Sequence, residues 1–170
     1  VPDRNYMQER YGKYGWSQGV LLNLAIGQGE LLVTPIQVLN YINLLATKGN
    51  SPSCHFVFVD NLPKNVKPVL KNEIWENIHE GLREAIVGKN GTGKKANLNL
   101  EGFKLYGKTG TAENSHGDDH AWFVGWADYR NKKHSIVILL ENAGSGGAVA
   151  APMARKVFSE LITNNELVYK

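Results

Sequence analysis

The chain of 170 residues lacks several features that mark particular protein classes. It has no apolar run of the roughly 18–20 residues that a membrane-spanning helix requires, so no such helix is predicted. Cys54 is the only cysteine, which excludes an intrachain disulfide and a cysteine-rich zinc site. The 19 basic and 16 acidic residues nearly balance, which argues against a nucleic-acid partner. These absences leave a globular domain or a part of one.

Three helices are predicted from apolar spacing and from residues typical of helix ends. The first begins at Thr34-Pro35, where a hydroxyl residue precedes a proline, and it ends near Gly49. The second covers residues 72–88, and the third follows Pro152. The predicted buried stripes are Ile74, Ile78, Leu82, Ala85 and Ile86 on the second helix and Met153, Val157, Phe158, Leu161 and Ile162 on the third.

Between the second and third helices the apolar pattern becomes that of β-strands. One strand begins near Phe103. Two β-rich runs, residues 122–127 and 135–140, are joined by a polar stretch, which predicts an antiparallel hairpin. Because no strand–helix–strand crossover is visible, the predicted fold class is α+β, with antiparallel sheet strands flanked by helices.

The segment Lys108-Thr109-Gly110-Thr111 carries the strongest chemical signal. Side chains alternate along a strand, so Lys108 and Gly110 are expected on one face and Thr109 on the other. A lysine charge and two hydroxyls suit a carboxylate ligand. Gly110 has no side chain and would let a peptide-like ligand lie against the backbone as an added strand. A solvated strand end is the alternative that this short motif leaves open.

Three blocks of sequence, in the same order along the chain, resemble the C-terminal half of a penicillin-binding transpeptidase domain. They are Ile26-Gly27-Gln28-Gly29 with the capped helix after it, Tyr106-Gly107-Lys108-Thr109-Gly110-Thr111-Ala112-Glu113 followed by residues 120–126, and the tail from Gly146 to Arg155. Together they are more specific than the Lys-Thr-Gly triplet. The first block is most similar to the elongation-type class B enzymes, the penicillin-binding protein 2 group, and the division-type enzymes are close relatives.

The resemblance implies that residues 1–170 are the C-terminal part of one transpeptidase domain of the penicillin-binding and serine β-lactamase-like fold. It implies a serine-type peptidoglycan D,D-transpeptidase that cross-links stem peptides and is acylated by β-lactams. Lys108, Thr109, Gly110 and Thr111 would bind substrate. Lys108 would also take part in catalysis, and the backbone N–H of Thr111 would donate to the oxyanion. No metal and no organic cofactor is implied.

The resemblance also implies the protein's partners and location. The partners are peptidoglycan stem peptides, β-lactam antibiotics, the remainder of the same transpeptidase domain and the cell-wall elongation machinery, with no nucleic acid. The implied location is the cell envelope, at the extracytoplasmic, periplasmic face of the inner membrane. An N-terminal helix absent from this sequence would supply the anchor.

Two motifs of the family are missing from this sequence. None of its serines is followed by lysine three positions later or by asparagine two positions later, so neither S-x-x-K nor S-x-N is present. Tyr41-Ile42-Asn43 imitates the second motif, but Ile42 belongs to the apolar stripe of the capped helix and is interpreted as core packing. The chain alone is therefore predicted to be inactive.

Other interpretations stay open at this stage. A non-enzymatic β-lactam sensor or peptidoglycan-binding module would keep the same motif for recognition. The loop from Gly88 to Lys95 is close to a nucleotide-binding P-loop, but Lys95 stands where Ser or Thr would ligate magnesium, and a basic, mobile turn is the simpler interpretation. His116 to His120 is rich in metal-capable residues, but the preferred interpretation is a buried, hydrogen-bonded His120 at the start of a strand.

Overall fold

The fold is described from a computed structural model, which defines residues 2–50, 53–57 and 68–168. The chain divides into two units, residues 1–34 and residues 35–170, and each is described by itself. None of the helices in the described residues combines the length and the apolar character needed to span a bilayer.

The first unit contains two short helices, α1 at Arg4–Tyr11 and α2 at Gln18–Ala25. The carboxylate of Asp3 accepts the backbone N–H of Tyr6 at 2.8 Å and caps α1. Such a cap satisfies one of the backbone donors that have no partner within the helix, so it fixes where the helix begins.

The side chain of Glu30 joins α1 to the loop after α2. It accepts hydrogen bonds from the hydroxyls of Tyr6, at 3.1 Å, and Tyr11, and it lies 3.2 Å from Arg10. The hydrogen bond from Tyr11 is the main cause that lowers the pKa of Glu30. The carboxylate form of Glu30 is therefore the form that these hydrogen bonds and the contact with Arg10 stabilise.

The α-helices in the described part of the second unit are α3 at Pro35–Ala46, α4 at Asn72–Val87 and α5 at Ala151–Val168. The predicted start of α3 at Pro35 is confirmed. Its end is fixed by Gly49, which has a φ of +84° and donates its N–H to the carbonyl of Leu44 at 2.7 Å. A left-handed residue with this hydrogen bond is typical of helix ends, and glycine adopts that conformation without strain.

The predicted buried face of α4 is wrong by one position at its start. Trp75 is 5% exposed and Ile74 is 42% exposed. Trp75 lies at helical spacing from Ile78, Leu82 and Ile86, just as Ile74 does in the predicted stripe. The stripe that begins at Ile74 and the one that begins at Trp75 therefore both fit the sequence pattern. The larger apolar surface of tryptophan favours the observed rotation.

The predicted buried face of α5 is also partly wrong. Met153 and Val157 are exposed, whereas Ala154, Phe158 and Ile162 are buried. Ala150 and Ala151 are also fully buried, and such small side chains let the start of the helix approach the sheet closely. The predicted inward positions of Phe158 and Ile162 are confirmed.

The sheet has three antiparallel strands in the order β1–β2–β3, with β1 at Lys104–Ala112, β2 at His120–Tyr129 and β3 at Lys132–Leu140. The predicted hairpin is confirmed as β2–β3. Its two turn residues, Arg130 and Asn131, have positive φ values of 49° and 61°. Two left-handed residues match the twist of paired strands, so this turn fixes the register of the hairpin.

Apolar side chains cover both faces of the sheet. In the first cluster α5 packs against the face that carries Leu105 and Phe123, and in the second α3 and α4 pack against the face that carries Trp126. Trp126 is stacked on Tyr106 with ring centroids 4.8 Å apart. The sheet is thus held between helices, with β1 at one edge. The fully buried members of the first cluster include Leu105, Ala121, Phe123, Ala127, Ala150, Ala151 and Ala154.

Candidate functional site

The segment Lys108-Thr109-Gly110-Thr111 lies in the second half of β1. In the described part of the chain β1 pairs with one strand only, β2, in a register that sets Thr109 opposite Phe123. Alternate backbone N–H and C=O groups of β1 therefore face away from the sheet, where an extended ligand can pair with them. The expected alternation is observed, since Lys108 is exposed and Thr109 is buried.

Lys108 places its charge near the end of α4. Its Nζ donates to the carbonyl of Thr109 at 2.7 Å, and its side chain lines a pocket of about 510 Å³. The pocket is bounded by the last turns of α4 and by the loop that follows, including Gly88 and Thr92. Lys108 is thus held by one hydrogen bond and retains donors for an anionic group in this pocket.

Thr109 is 7% exposed and faces the opposite side of the strand from Lys108. Its hydroxyl oxygen lies 2.6 Å from that of Thr92, in the loop between α4 and β1. The two hydroxyls therefore form a hydrogen bond. Sequence reasoning did not identify Thr92 as part of the site. Its one signal was the P-loop-like spacing around it, which suggests a different chemistry.

Thr111 is linked to the segment that precedes α5. Its hydroxyl accepts the backbone N–H of Gly146 at 3.3 Å. A Cβ atom at Gly146 would lie 2.2 Å from the carbonyl oxygen of Gly110 and 2.4 Å from that of Trp122. Only glycine fits this approach, so Gly146 locks the tail block of the sequence onto the Lys-Thr-Gly strand.

The segment around Gly146 is ordered by its own hydrogen bonds. Gly146–Ala150 forms a single π-helical turn that leads directly into α5. Short π-helical turns are often found at functional sites. Here the turn sets the start of α5 against β1 and β2.

The loop from Gly88 to Lys95 lacks the geometry of a P-loop. It follows the end of α4 and leads into a short 3₁₀ turn, Lys94–Ala96, whereas a P-loop leaves a strand and opens a helix. The ammonium group of Lys94 donates to the carbonyl of Lys89 within the same loop. Nucleotide binding is therefore not supported by this loop.

The histidine-rich stretch forms the loop between β1 and β2. His120 begins β2, and its Nδ1 accepts the N–H of Asn142 at 3.0 Å, as expected. The side chain is half-buried, so the expected full burial of His120 is wrong. The carbonyl of Asp119 accepts the N–H groups of Ala143 and Gly144. Across the described residues no group of three or more His, Cys, Asp or Glu side chains is arranged to hold a metal ion.

Ile42 has the structural role that the sequence indicates. It is 2% exposed, and it packs in the second core cluster with Trp75 and Trp126, as core packing predicts. Asn43 donates from its side chain to the sulfur of Cys54 at 2.9 Å. Within the imitation of the S-x-N motif on α3, Ile42 is therefore a core residue, whereas Tyr41 is 60% exposed.

Comparisons with known proteins show which family this chain resembles. Residues 5–159 match the family described as the penicillin binding protein transpeptidase domain. The chain is 34% identical over 182 residues to the peptidoglycan D,D-transpeptidase MrdA of Haemophilus influenzae, covering 92% of this chain and 28% of that protein.

Two solved structures are also similar to the chain. The crystal structure of Pseudomonas aeruginosa PBP2 in complex with WCK 5153 has a TM-score of 0.70 at 30% identity, covering 92% of this chain and 35% of that one. The complex between PBP2 and MreC from Helicobacter pylori has a TM-score of 0.69 at 29% identity, covering 93% of this chain and 30% of that one. The chain thus spans between 28% and 35% of the length of these relatives.

Proposed function

This chain belongs to the penicillin-binding protein transpeptidase domain family, and we propose that it is the C-terminal part of a serine-type peptidoglycan D,D-transpeptidase. The observation that carries the proposal is the Lys108-Thr109-Gly110-Thr111 segment on an open strand edge, with Gly146 locked against it. The sequence contains neither S-x-x-K nor S-x-N. We therefore assign the nucleophilic serine to the remainder of the protein.

The proposed reaction has two acyl transfers. The serine hydroxyl attacks the carbonyl of the penultimate D-Ala of a donor stem peptide, and the terminal D-Ala leaves as a free amine. The amine of an acceptor stem then attacks the acyl-serine and releases the serine. A β-lactam enters the first step because its strained amide and carboxylate imitate the donor terminus.

The residues of this chain form one wall of the proposed cleft. Lys108 supplies a positive charge on one face of β1. From the opposite face, the hydroxyls of Thr109 and Thr111 bind the terminal carboxylate of the donor. Gly110 leaves room for the extended peptide. The backbone N–H of Thr111 donates to the oxyanion of the tetrahedral intermediate, and loss of one such donor typically raises the barrier by about 2.7–4 kcal/mol.

Partners and location follow from the same proposal. The solved Helicobacter pylori relative is a complex with MreC, which supports assignment of this protein to cell-wall elongation. Its substrates are then stem peptides at the extracytoplasmic face of the inner membrane. The remainder of the domain, which completes the cleft, is the first partner of this chain.

The role of Lys108 is tested in the full-length protein that contains this chain, by the rate of acylation with a fluorescent penicillin. Lys108→Ala is expected to lower the rate about 10- to 150-fold, the effect of losing a hydrogen bond from a charged group worth about 1.5–3 kcal/mol. Lys104→Ala is the matched control, because Lys104 is exposed on the same strand face. Its rate is expected to stay within about twofold of wild type.

The outcomes separate the proposal from its alternatives. Equal acylation rates in the two variants would refute the role of Lys108. Acylation of the wild-type protein without any cross-linked product from peptidoglycan precursors would instead favour the β-lactam sensor or peptidoglycan-binding module.

A further inference from the structure

A pair of hydroxyls links the loop between α4 and β1 to the buried face of the Lys-Thr-Gly strand. The Oγ1 atoms of Thr92 and Thr109 are 2.6 Å apart. Thr92 is exposed, whereas Thr109 is 7% exposed. The hydrogen bond therefore lies at the boundary between the core and the surface.

Two glycines fix the position of Thr92. A Cβ at Gly91 would lie 2.5 Å from the carbonyl oxygen of Ala85, and a Cβ at Gly93 would lie 2.7 Å from the side chain of Ile86. The N–H of Gly93 also donates to the carbonyl of Ala85 at 2.9 Å. The loop is thus packed closely against the last turn of α4, on both sides of Thr92.

The backbone of Thr92 is also packed closely on its other side. A Cβ at Gly147 would lie 3.0 Å from the carbonyl oxygen of Thr92. Gly147 belongs to the π-helical turn at Gly146–Ala150 that is locked onto β1. Thr92 is therefore held between α4 and this turn, which is the kind of support that keeps a functional hydroxyl in one orientation.

Each of the two hydroxyls has one proton to donate, and this determines how Thr109 can bind a carboxylate. A hydroxyl donates one hydrogen bond and accepts two. A carboxylate only accepts, so Thr109 can bind one only by donating its own proton to it. The bond to Thr92 survives this step only if Thr92 is the donor and Thr109 the acceptor. A hydroxyl that accepts one hydrogen bond is polarised and becomes a stronger donor in the next.

From this geometry we propose that Thr92 is a positioning residue, whose hydroxyl donates to Thr109 and directs the proton of Thr109 toward the carboxylate of the donor peptide or β-lactam. The inference rests on the proposed function, in which Thr109 binds that carboxylate. Thr92 itself does not touch the ligand. The P-loop-like spacing of the sequence thus serves to present a threonine to the cleft.

The test is a double-mutant cycle in the full-length protein, with the second-order rate of acylation by a fluorescent penicillin as the readout. The variants are Thr92→Val, Thr109→Val and both together. Thr92→Val is expected to lower the rate about fivefold, within the range for losing one neutral hydrogen bond. In the Thr109→Val background, Thr92→Val is expected to alter the rate by less than about twofold, because the Thr109 hydroxyl to which Thr92 donates is absent.

Two further variants separate positioning from a general loss of structure. Thr92→Ser keeps the hydroxyl and is expected to restore the rate to within about twofold of wild type. Thr163→Val removes a threonine hydroxyl that donates to the carbonyl of Ser159 on the exposed face of α5, and it is the matched control with no expected effect. If Thr92→Val fails to fold, Thr92→Ala replaces it in the cycle.

Each remaining outcome is decisive. An equal loss from Thr92→Val in both backgrounds, or no loss in the wild-type background, would overturn the positioning role while the proposed function stands. Failure of the wild-type protein itself to react with penicillin would refute the proposed function, and the role of Thr92 with it.

Discussion

Replacement of Gly146 by alanine is the sharpest test of how the tail of this chain is joined to the Lys-Thr-Gly strand. The added Cβ would lie 2.2 Å from the carbonyl oxygen of Gly110 and 2.4 Å from that of Trp122. These distances are 0.8 Å and 0.6 Å short of the 3.0 Å that Cβ atoms keep from their neighbours. Both oxygens belong to the sheet backbone, so neither can move aside by changing a rotamer.

The cost follows from the rigidity of these neighbours. Overpacking of a well-filled core typically costs about 1–3 kcal/mol, and a collision with two backbone atoms belongs at the upper end. With a urea m-value of about 2–3 kcal/mol per molar for a chain of this size, the midpoint of unfolding should fall by about 1–1.5 M. Tryptophan fluorescence reports the transition, because Trp75 and Trp126 are buried.

Gly81→Ala is the matched control, with an expected effect of opposite sign. Gly81 lies inside α4, and its added Cβ would meet no atom within 4 Å. Alanine there should stabilise the chain by about 0.5–1 kcal/mol, because glycine is a poor residue for a helix interior. If Gly146→Ala unfolds at the same urea concentration as wild type, the described contact of the tail with β1 is incorrect.

Further predictions concern the core and the first unit. Trp75→Ala should destabilise the chain by about 3–5 kcal/mol in urea unfolding, as expected for a large buried aromatic. Ile74→Ala should cost far less; equal losses would contradict the rotation of α4. The hydrogen bond from Tyr11 lowers the pKa of Glu30, so the stabilisation by Glu30 is complete above the pKa of an unfolded carboxyl, about 4.3. It is lost as the pH falls through the lower folded value. Glu30→Gln should remove this acid transition from the tyrosine near-ultraviolet circular dichroism, and an unchanged transition would contradict the role of Glu30.

The local features of the fold were predictable from the sequence, because each depends on neighbouring residues. The start of α3 at Pro35 and its end near Gly49 follow from helix-end preferences. The alternation of Lys108 and Thr109 follows from strand geometry alone. The hairpin between β2 and β3 follows from two β-rich runs with a polar connection.

Other features depend on which surfaces meet in three dimensions, and local patterns do not contain that information. Two stripes of α4 are compatible with helical spacing, and contact with the rest of the core selects the one with Trp75. The partners Thr92 and Thr109 are 17 residues apart, and Gly146 and Thr111 are 35 apart. The sequence pattern marked Thr92 only as part of a P-loop-like segment, and it marked Gly146 as the start of the tail block without indicating its contact with Thr111.

In the proposed function, this chain supplies one wall of a transpeptidase cleft whose nucleophile lies elsewhere in the same protein. Labelling with a fluorescent penicillin tests it most directly, with this 170-residue chain and the full-length protein compared side by side. We expect a covalent label on the full-length protein and none on the chain alone. A label on the isolated chain, or on neither sample, would contradict it.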